Sequence, residues 1–517
     1  MKYQGYYPRI ILLIFLLACA CIGYLTARDY GLSWDELGIY EYSEEMLTAY
    51  DKILHLWDFE SQVSDPLLNL YGPSHFMLST LFSNYVNEIN KSWSIYQAHH
   101  LFYFLTFLMG LPALYFLCAR WMREWAALGT VLLFATQPLF WGNAFINPKD
   151  IPFMVFFIIS VYFSYVMVDS KSNSIWWKII VAGVALGLTT SIRSFGLMAG
   201  AFAIFYGLRK DFYKTLKILP FYIFITVMTT YVSWPYLWSD PIHRFVESIT
   251  TMSKHPVIFY TLFMGEIYLN NQLPFFYFLT FIALQFTIPI LTLIVVGLFV
   301  SFKFFLKDNS KEPMILLMAW FLIPTLVIGF SGSTMYDNAR QLLFLTPPLF
   351  IIAGIGLDMI LRNIKLPIFQ VALVLIFISP AIYANIRLHP YQYIYYNEFI
   401  GGVGGAFRKM DLDYSGTSFK EAIQYINENS EPTTQTFIIV GPRHLARIYI
   451  RPMLKENMLG ELDPINPNGS EYYYVLLLTR TNSDMLFCTN GDIVYSIERD
   501  NGVLAYIKKI YSKEPCW

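Results

Sequence analysis

Long apolar runs recur along most of the chain, separated by short polar connections. A helix needs roughly 20 predominantly apolar residues to cross the hydrocarbon core of a bilayer. On that measure candidate spans fall at about 10–26, 98–118, 125–141, 152–168, 179–192, 195–208, 218–234, 274–302, 314–331, 342–361 and 366–384. The pattern predicts about eleven transmembrane helices. The two shortest runs flank Arg193. The stretch 274–302 is long and contains Pro289, so it reads either as one tilted helix or as two short ones, and two would invert everything after it. The first long connection, about 27–97, carries apolar positions at helical spacing within 37–56 and 74–89, which predicts helices lying at the membrane surface. The connection 235–273 reads similarly. Past residue 385 the pattern changes. Short apolar runs at 436–440, 472–478 and 493–497 predict strands, Arg499, Asp500, Asn501 and Gly502 predict a hairpin turn, and 418–427 predicts an amphipathic helix after a Ser/Thr cap.

Charge orients this pattern. With the N-terminus cytoplasmic, the inside connections carry Lys2 and Arg9, then Arg120 and Arg123, then Lys171 and Lys178. They continue with Arg209, Lys210, Lys214 and Lys217, then Lys303, Lys307 and Lys311, then Arg362 and Lys365. Each holds at least two basic residues. The first outside connection instead holds Asp29, Asp35, Glu36, Glu41, Glu44, Glu45 and Asp51. This is the positive-inside distribution. It predicts an integral protein of the cell (inner) membrane, with a transmembrane domain over 1–385 and a small extracytoplasmic α/β domain over 386–517. The first apolar run could be read as a signal peptide. A small-residue cleavage site is poor after Leu25 and further spans follow, so it reads as a retained anchor.

Composition agrees. Of 517 residues, 56% are hydrophobic and 14% charged, against about 25% charged in soluble domains. Mean hydropathy is +0.45. The net charge of −1 gives no electrostatic case for nucleic acid. No Walker signature occurs, and no strand leads into the glycines at 401–405, so the sequence predicts no nucleotide cofactor and no soluble nucleotide-sugar substrate. Five cysteines show no metal-ligand spacing. Cys488 and Cys516 form a disulfide if their end is extracytoplasmic, or remain two free thiols.

The candidate chemistry lies in the outside connections. Asp35 and Glu36 follow Trp34 where the first span ends. A carboxylate there acts as general base on an acceptor, holds a divalent cation, or is only part of a solvated acidic loop. The run Asn147, Pro148, Lys149, Asp150, Ile151, Pro152, Phe153 lies at the outer end of two spans; Asp150 suits a helix N-terminus and Lys149 offers a cation. Its plainer reading is a helix cap with a snorkelling lysine. Arg193, between two spans, either ends a helix or faces an anionic group. Arg340, before the tenth span, suits a phosphate through paired N–H donors or simply pairs with Asp337. His75, His99, His100 and His255 also fall outside, without ligand spacing.

Taken in this order, the acidic pair after the first helix, the second acidic motif after the third and the basic residue before a late helix resemble the GT-C superfamily of membrane glycosyltransferases. The resemblance is nearest to the protein O-mannosyltransferase and aminoarabinose-transferase group and covers about residues 10–415. It implies inverting transfer from a polyprenyl-phosphate sugar donor to a glycan, lipid or protein acceptor at the outer face, among membrane lipids. It also implies Asp35 as base or metal-linked carboxylate, with Glu36 beside it, and Asp150 as the second carboxylate. Arg340 would be a donor-phosphate contact, with Lys149 and Arg193 as further cations, and a divalent metal ion would sit on Asp35 and Asp150. A transporter or flippase of lipid-linked sugars is the competing class. It would place charges near the bilayer midplane, whereas here they gather at one face.

Overall fold

The computed structural model describes residues 6–51, 65–170, 175–254, 256–307, 312–432, 434–460, 472–489 and 491–511. Cys516 and His255 lie outside the described residues. The first apolar run forms α1 (Tyr6–Thr26), which leaves most of its surface uncovered by protein. The polar connection after it holds α2 (Glu36–Ala49) and α3 (Ser74–Ile89), as its periodicity predicts. Leu78, Leu81, Tyr85 and Ile89 leave an exposed apolar stripe on α3. Helix α4 (Ile95–Cys118) starts on a capping box in which Ser94 and Gln97 each accept the other's backbone N–H. The next run breaks into α5 (Glu124–Ala135) and α6 (Pro138–Ile146), because Pro138 has no N–H with which to continue the first helix. Then come α7 (Asp150–Asp169), α8 (Ile175–Ile192), α9 (Leu197–Lys210) and α10 (Phe212–Val232). Helix α11 (Pro241–Ser253) and the hairpin β1 (Tyr260–Phe263) with β2 (Glu266–Leu269) occupy the second long connection.

Two helices replace the run 274–302: α12 (Tyr277–Gln285) and α13 (Ile288–Lys307), bent by 116°. At 1.5 Å per residue α12 is about 14 Å long, too short for a core of about 30 Å, whereas α13 is long enough. The stretch is thus two helices, and the bent pair together makes one candidate span. The chain continues through α14 (Glu312–Ser331), 3₁₀ turns at Asp337–Leu345, α15 (Pro347–Arg362) and α16 (Pro367–Arg387). Among the described residues six helices are long and apolar enough to cross a membrane singly, or eight if each bent pair is one span. The expected eleven is not reached by length alone, because 125–141 is broken at Pro138 and 195–208 yields a helix of 14 residues.

Polar contacts gather at two opposite ends of the bundle. At one end Arg9 and Tyr115 meet Glu124, Arg120 and Lys210 meet Asp169, and Arg123 and Arg362 meet Asp358. At the other lie the ends of α1, α6 and α8, the starts of α4 and α7, and the 3₁₀ turns before α15. The last part of the chain covers this second end. It contains α17 (Gly402–Ala406), α18 (Phe419–Asn429), β3 (Gln435–Val440), α19 (Arg443–Tyr449), β4 (Met458–Gly460), β5 (Tyr473–Leu478), β6 (Asp492–Arg499) and β7 (Gly502–Ile510). The sheet order is β4-β3-β5-β7-β6, with β3 parallel to β4 and β5 and the other pairs antiparallel. The predicted hairpin turn is present, with Asp500 and Asn501 at φ 50° and 64°. The expected Ser/Thr cap of α18 is not. The Asp413 carboxylate instead accepts from the Thr417 and Ser418 amides at 3.1 and 3.0 Å, so a residue one turn earlier holds the helix start.

Candidate active site

Several segments converge on one cavity of about 580 Å³ at the second end of the bundle, lined among others by Trp34, Asp35, Lys149, Tyr336, Arg340 and Arg480. Asp35 sits at the start of α2 and makes no side-chain capping bond, so its carboxylate is free to face the cavity. The turn into α7 is organised by Asn147, whose Oδ1 accepts from the Lys149 and Asp150 amides at 3.2 and 2.8 Å. That bond pattern fixes Lys149 and Asp150 on the outgoing helix start. Arg193 occupies the extended break between α8 and α9. Arg340 follows three consecutive residues with positive φ, Asp337 at 50° and Asn338 and Ala339 at 57°. Left-handed backbone costs roughly 1–2 kcal/mol per non-glycine residue. It is held here by Asn338, which donates to the Tyr396 hydroxyl and the Asp411 carbonyl, each at 3.0 Å. Such over-determined strain marks a segment whose side-chain direction matters.

The charges interlock. Lys149 Nζ lies 2.7 Å from Asp35, and Arg340 lies 3.2 Å from the same Oδ2. Arg340 also reaches Asp150 at 3.1 Å and Asp337 at 3.0 Å, so one guanidinium bridges three carboxylates. Arg193 pairs with the other oxygen of Asp150, and Arg480 with the other oxygen of Asp337 at 2.8 Å. Four cations face three carboxylates in this bonded network. Burial disfavours ionisation of Asp35, but Lys149 and Arg340 outweigh it and hold the carboxyl well below its usual range. Lys149 shows the converse: burial works against its charge, and Asp35 more than restores it.

The structure thus brings together Asp35, Lys149, Asp150, Arg193 and Arg340. Asp150 and Glu36 do not line the cavity. Asp150 is 2% exposed and lies behind Arg340, where Arg193 and Asn147 complete its bonds. Glu36 points the other way, fully buried, and accepts from the Ser33 amide, from Tyr40 Oη at 2.8 Å and from His100 Nε2 at 3.1 Å. His75 and His99 pack near by, bonded to Thr106 and Ser79. Asp337 had suggested itself only as a local partner of Arg340, a pairing the structure contains together with two others. Arg480 had not been singled out at all, and nothing in its sequence surroundings marks it.

Asp35 and Asp150 fit a divalent cation poorly. Arg340 already lies between them and bonds both, Asp150 is bonded at each of its oxygens, and among the described residues no three metal-ligating side chains converge.

Residues 74–238 match the family Dolichyl-phosphate-mannose-protein mannosyltransferase. That segment contains Asn147, Lys149, Asp150 and Arg193 but neither Asp35 nor Arg340. No curated protein matches the chain's sequence. Among solved structures, ArnT from Cupriavidus metallidurans bound to undecaprenyl phosphate is 14% identical with a TM-score of 0.53, covering 96% of this chain and 97% of that one. The same protein in the apo state is 15% identical with a TM-score of 0.50, covering 98% of each chain. The Archaeoglobus fulgidus oligosaccharyltransferase in complex with Zn and sulfate overlaps less, with a TM-score of 0.49 at 13% identity over 89% of this chain and 67% of that one. The chain is an integral membrane protein with the fold of ArnT, and its residues 74–238, which hold the second acidic motif, match the protein-mannosyltransferase family model.

Proposed function

We propose that this protein moves a sugar from a polyprenyl-phosphate donor to an acceptor, with inversion, at the outer face of the membrane. The observation that carries the reading is Asp35 sharing the cavity with Lys149 and Arg340 at 2.7 and 3.2 Å. A base for the acceptor and two cations for a leaving phosphate lie within one side chain's reach of each other. The donor phosphate enters against Lys149 and Arg340. Asp35 takes the acceptor O–H proton, the acceptor oxygen bonds to the anomeric carbon, and the bond from that carbon to the phosphate oxygen breaks. The electron pair leaves on the polyprenyl phosphate, whose added charge the cations stabilise. Attack from the face opposite the leaving group inverts the sugar. ArnT, on the same fold, takes undecaprenyl phosphate, and a lipid-linked donor suits a cavity at the end of a membrane bundle. The site charges gather at one end of the helices, which favours an enzyme over a flippase. The test is incubation of the purified protein with defined polyprenyl-phosphate sugars, followed by mass spectrometry of lipid products and candidate acceptors. Absence of any transferred sugar across the set would count against it.

Asp35, rather than Glu36, is the reacting carboxylate in this reading. Glu36→Gln leaves the cavity wall untouched while weakening buried bonds to Tyr40 and His100. Losing a charged hydrogen-bond partner costs about 1.5–3 kcal/mol. The variant should therefore melt earlier in detergent while keeping a substantial part of wild-type turnover per folded molecule, as read by a thermal scan beside a product assay.

We read α1, α4, the α5–α6 pair, α7, α8, α9, α10, α13, α14, α15 and α16 as eleven crossings with a cytoplasmic N-terminus, residues 1–385 as the membrane domain and 386–517 as an extracytoplasmic domain. Cys488 is disulfide-bonded, which suits an oxidising compartment. A cysteine at Ile493 should react with an impermeant thiol reagent in intact cells and one at Leu366 should not; the reverse pattern would invert the assignment.

A further inference from the structure

The segment that presents Asp35 leaves α1 at Thr26 and reaches α2 ten residues later, and its long-range backbone partners come from the C-terminal part of the chain. Lys420 Nζ, on α18, donates to the carbonyl of Arg28 and to those of Asp29 and Tyr30 at 3.1 and 3.3 Å. Three successive carbonyls just past a helix C-terminus meet a cation there, where the helix dipole is negative. The Leu32 amide donates to the Tyr449 hydroxyl at 2.8 Å, and the Trp34 amide to the Ser415 carbonyl at 2.9 Å. His444 contacts the Trp34 carbonyl at 3.1 Å. Gly31 lies so close to the Thr417 carbonyl that any side chain would collide with it. Beside this segment, with its guanidinium 5.9 Å from the centre of the Trp34 ring, Arg480 bonds Asp337 and the Tyr414 carbonyl, and Asp337 in turn holds Arg340.

We propose that the C-terminal domain sets the active site through two cations, with Lys420 the positioning residue for Asp35 and Arg480 the positioning residue for Arg340. The inference rests on the transfer reading for its kinetic part, and on that part alone. Neither lysine nor arginine need touch the reacting atoms. Lys420 fixes the path of residues 28–34, and with it the place of the carboxylate in the cavity. Arg480 fixes Asp337, whose second oxygen sets the plane of the Arg340 guanidinium. Displacing a catalytic group by about 1 Å can cost 10²-fold in rate, so a loosened strap affects turnover more than binding.

The test uses the full-length protein with Lys420→Met, Tyr449→Phe, Arg480→Gln and Arg480→Lys. Hydrogen exchange is read on peptides covering 28–36, with α4 and α7 as internal controls. Kinetics are read with a polyprenyl-phosphate sugar that the wild type accepts. Lys420→Met should speed exchange across 28–36, leave α4 and α7 unchanged, and lower kcat about 10²-fold with donor KM within about twofold. Tyr449→Phe, which removes one hydroxyl, should speed exchange at Leu32 with a smaller loss of kcat and so covers the case in which Lys420→Met fails to fold. Arg480→Gln should raise donor KM about tenfold, and Arg480→Lys, which retains a cation for Asp337, should recover most of it. Unchanged exchange in 28–36, or faster exchange with unchanged kcat, overturns the role of Lys420. Equal kinetics in Arg480→Gln and wild type, or no recovery by Arg480→Lys, overturns that of Arg480. If the wild type transfers nothing, the transfer reading fails by itself, while exchange in 28–36 still decides whether the domain holds the strap.

Discussion

Asp35→Asn is expected to abolish detectable sugar transfer while the protein still folds and still binds polyprenyl phosphate. A positioned base contributes about 10²–10⁴-fold, and asparagine keeps the size of the side chain while removing its charge and its basicity. Lys149 and Arg340 lose one carboxylate partner, but Arg340 retains Asp150 and Asp337. Phosphate binding in the variant should therefore hold or tighten. Near-normal turnover in Asp35→Asn, measured on a donor the wild type uses, would remove the central residue of the mechanism. The same geometry sets a pH dependence. In the free protein the two cations hold the Asp35 carboxyl well below its usual range. Its ion pairs add stability that is fully present above the unfolded carboxylate pKa of about 3.9 and is lost as pH falls through the depressed folded value. Once donor phosphate takes up Lys149 and Arg340, that depression is relieved and Asp35 becomes the stronger base the reaction needs. The acid limb of kcat, which reports the bound complex, should then lie at higher pH than the acid limb of kcat/KM, which reports the free enzyme. Coincident limbs would mean that the donor leaves the cations on Asp35.

Arg340 carries the second large effect. Arg340→Ala would leave Asp150 and Asp337 short of a buried partner, and breaking a buried pair costs about 3–5 kcal/mol, so loss of activity there would be hard to separate from loss of fold. Arg340→Lys is the cleaner variant. It keeps the charge but cannot present parallel N–H donors to a phosphate while bonding Asp35, Asp150 and Asp337. One lost charge-assisted contact is worth about 1.5–3 kcal/mol, so affinity for undecaprenyl phosphate should fall by about 10- to 100-fold, with acceptor KM little changed. Unaltered phosphate affinity in a folded Arg340→Lys protein would assign the anion to Lys149 alone and reduce Arg340 to a brace for Asp150.

Much of this protein was legible in its sequence. Apolar runs place helices, because a chain that buries its backbone bonds inside lipid must complete them within each helix. The alternation of basic connections and acidic ones predicts which helix ends share a side, and the structure brings Asp35, Lys149, Asp150, Arg193 and Arg340 into one network at one end. Local turn chemistry was readable as well, in the Asp500–Asn501 hairpin. The run 125–141 was less so: an apolar stretch of span length hides a break at Pro138, since hydropathy is blind to a missing N–H.

What only the tertiary structure decided is direction and partnership. Neighbouring positions at a helix start point about 100° apart, so the sequence shows that Asp35 and Glu36 diverge but not which faces the cavity; that depends on where α4 brings His100. The bend of 116° between α12 and α13 depends on what packs around Phe286 and Thr287, not on the apolar pattern shared by both helices. The bridging of Asp35, Asp150 and Asp337 by Arg340 joins residues 305, 190 and 3 positions apart. The Arg480–Asp337 and Lys420–Asp29 contacts, 143 and 391 positions apart, tie a domain to a loop that carries no sequence trace of it. Periodicity and charge act over a helical turn or a connection, and so they determine elements and their ends; the pairing of one distant side chain with another is set only when the packed helices and the sheet fix their positions together.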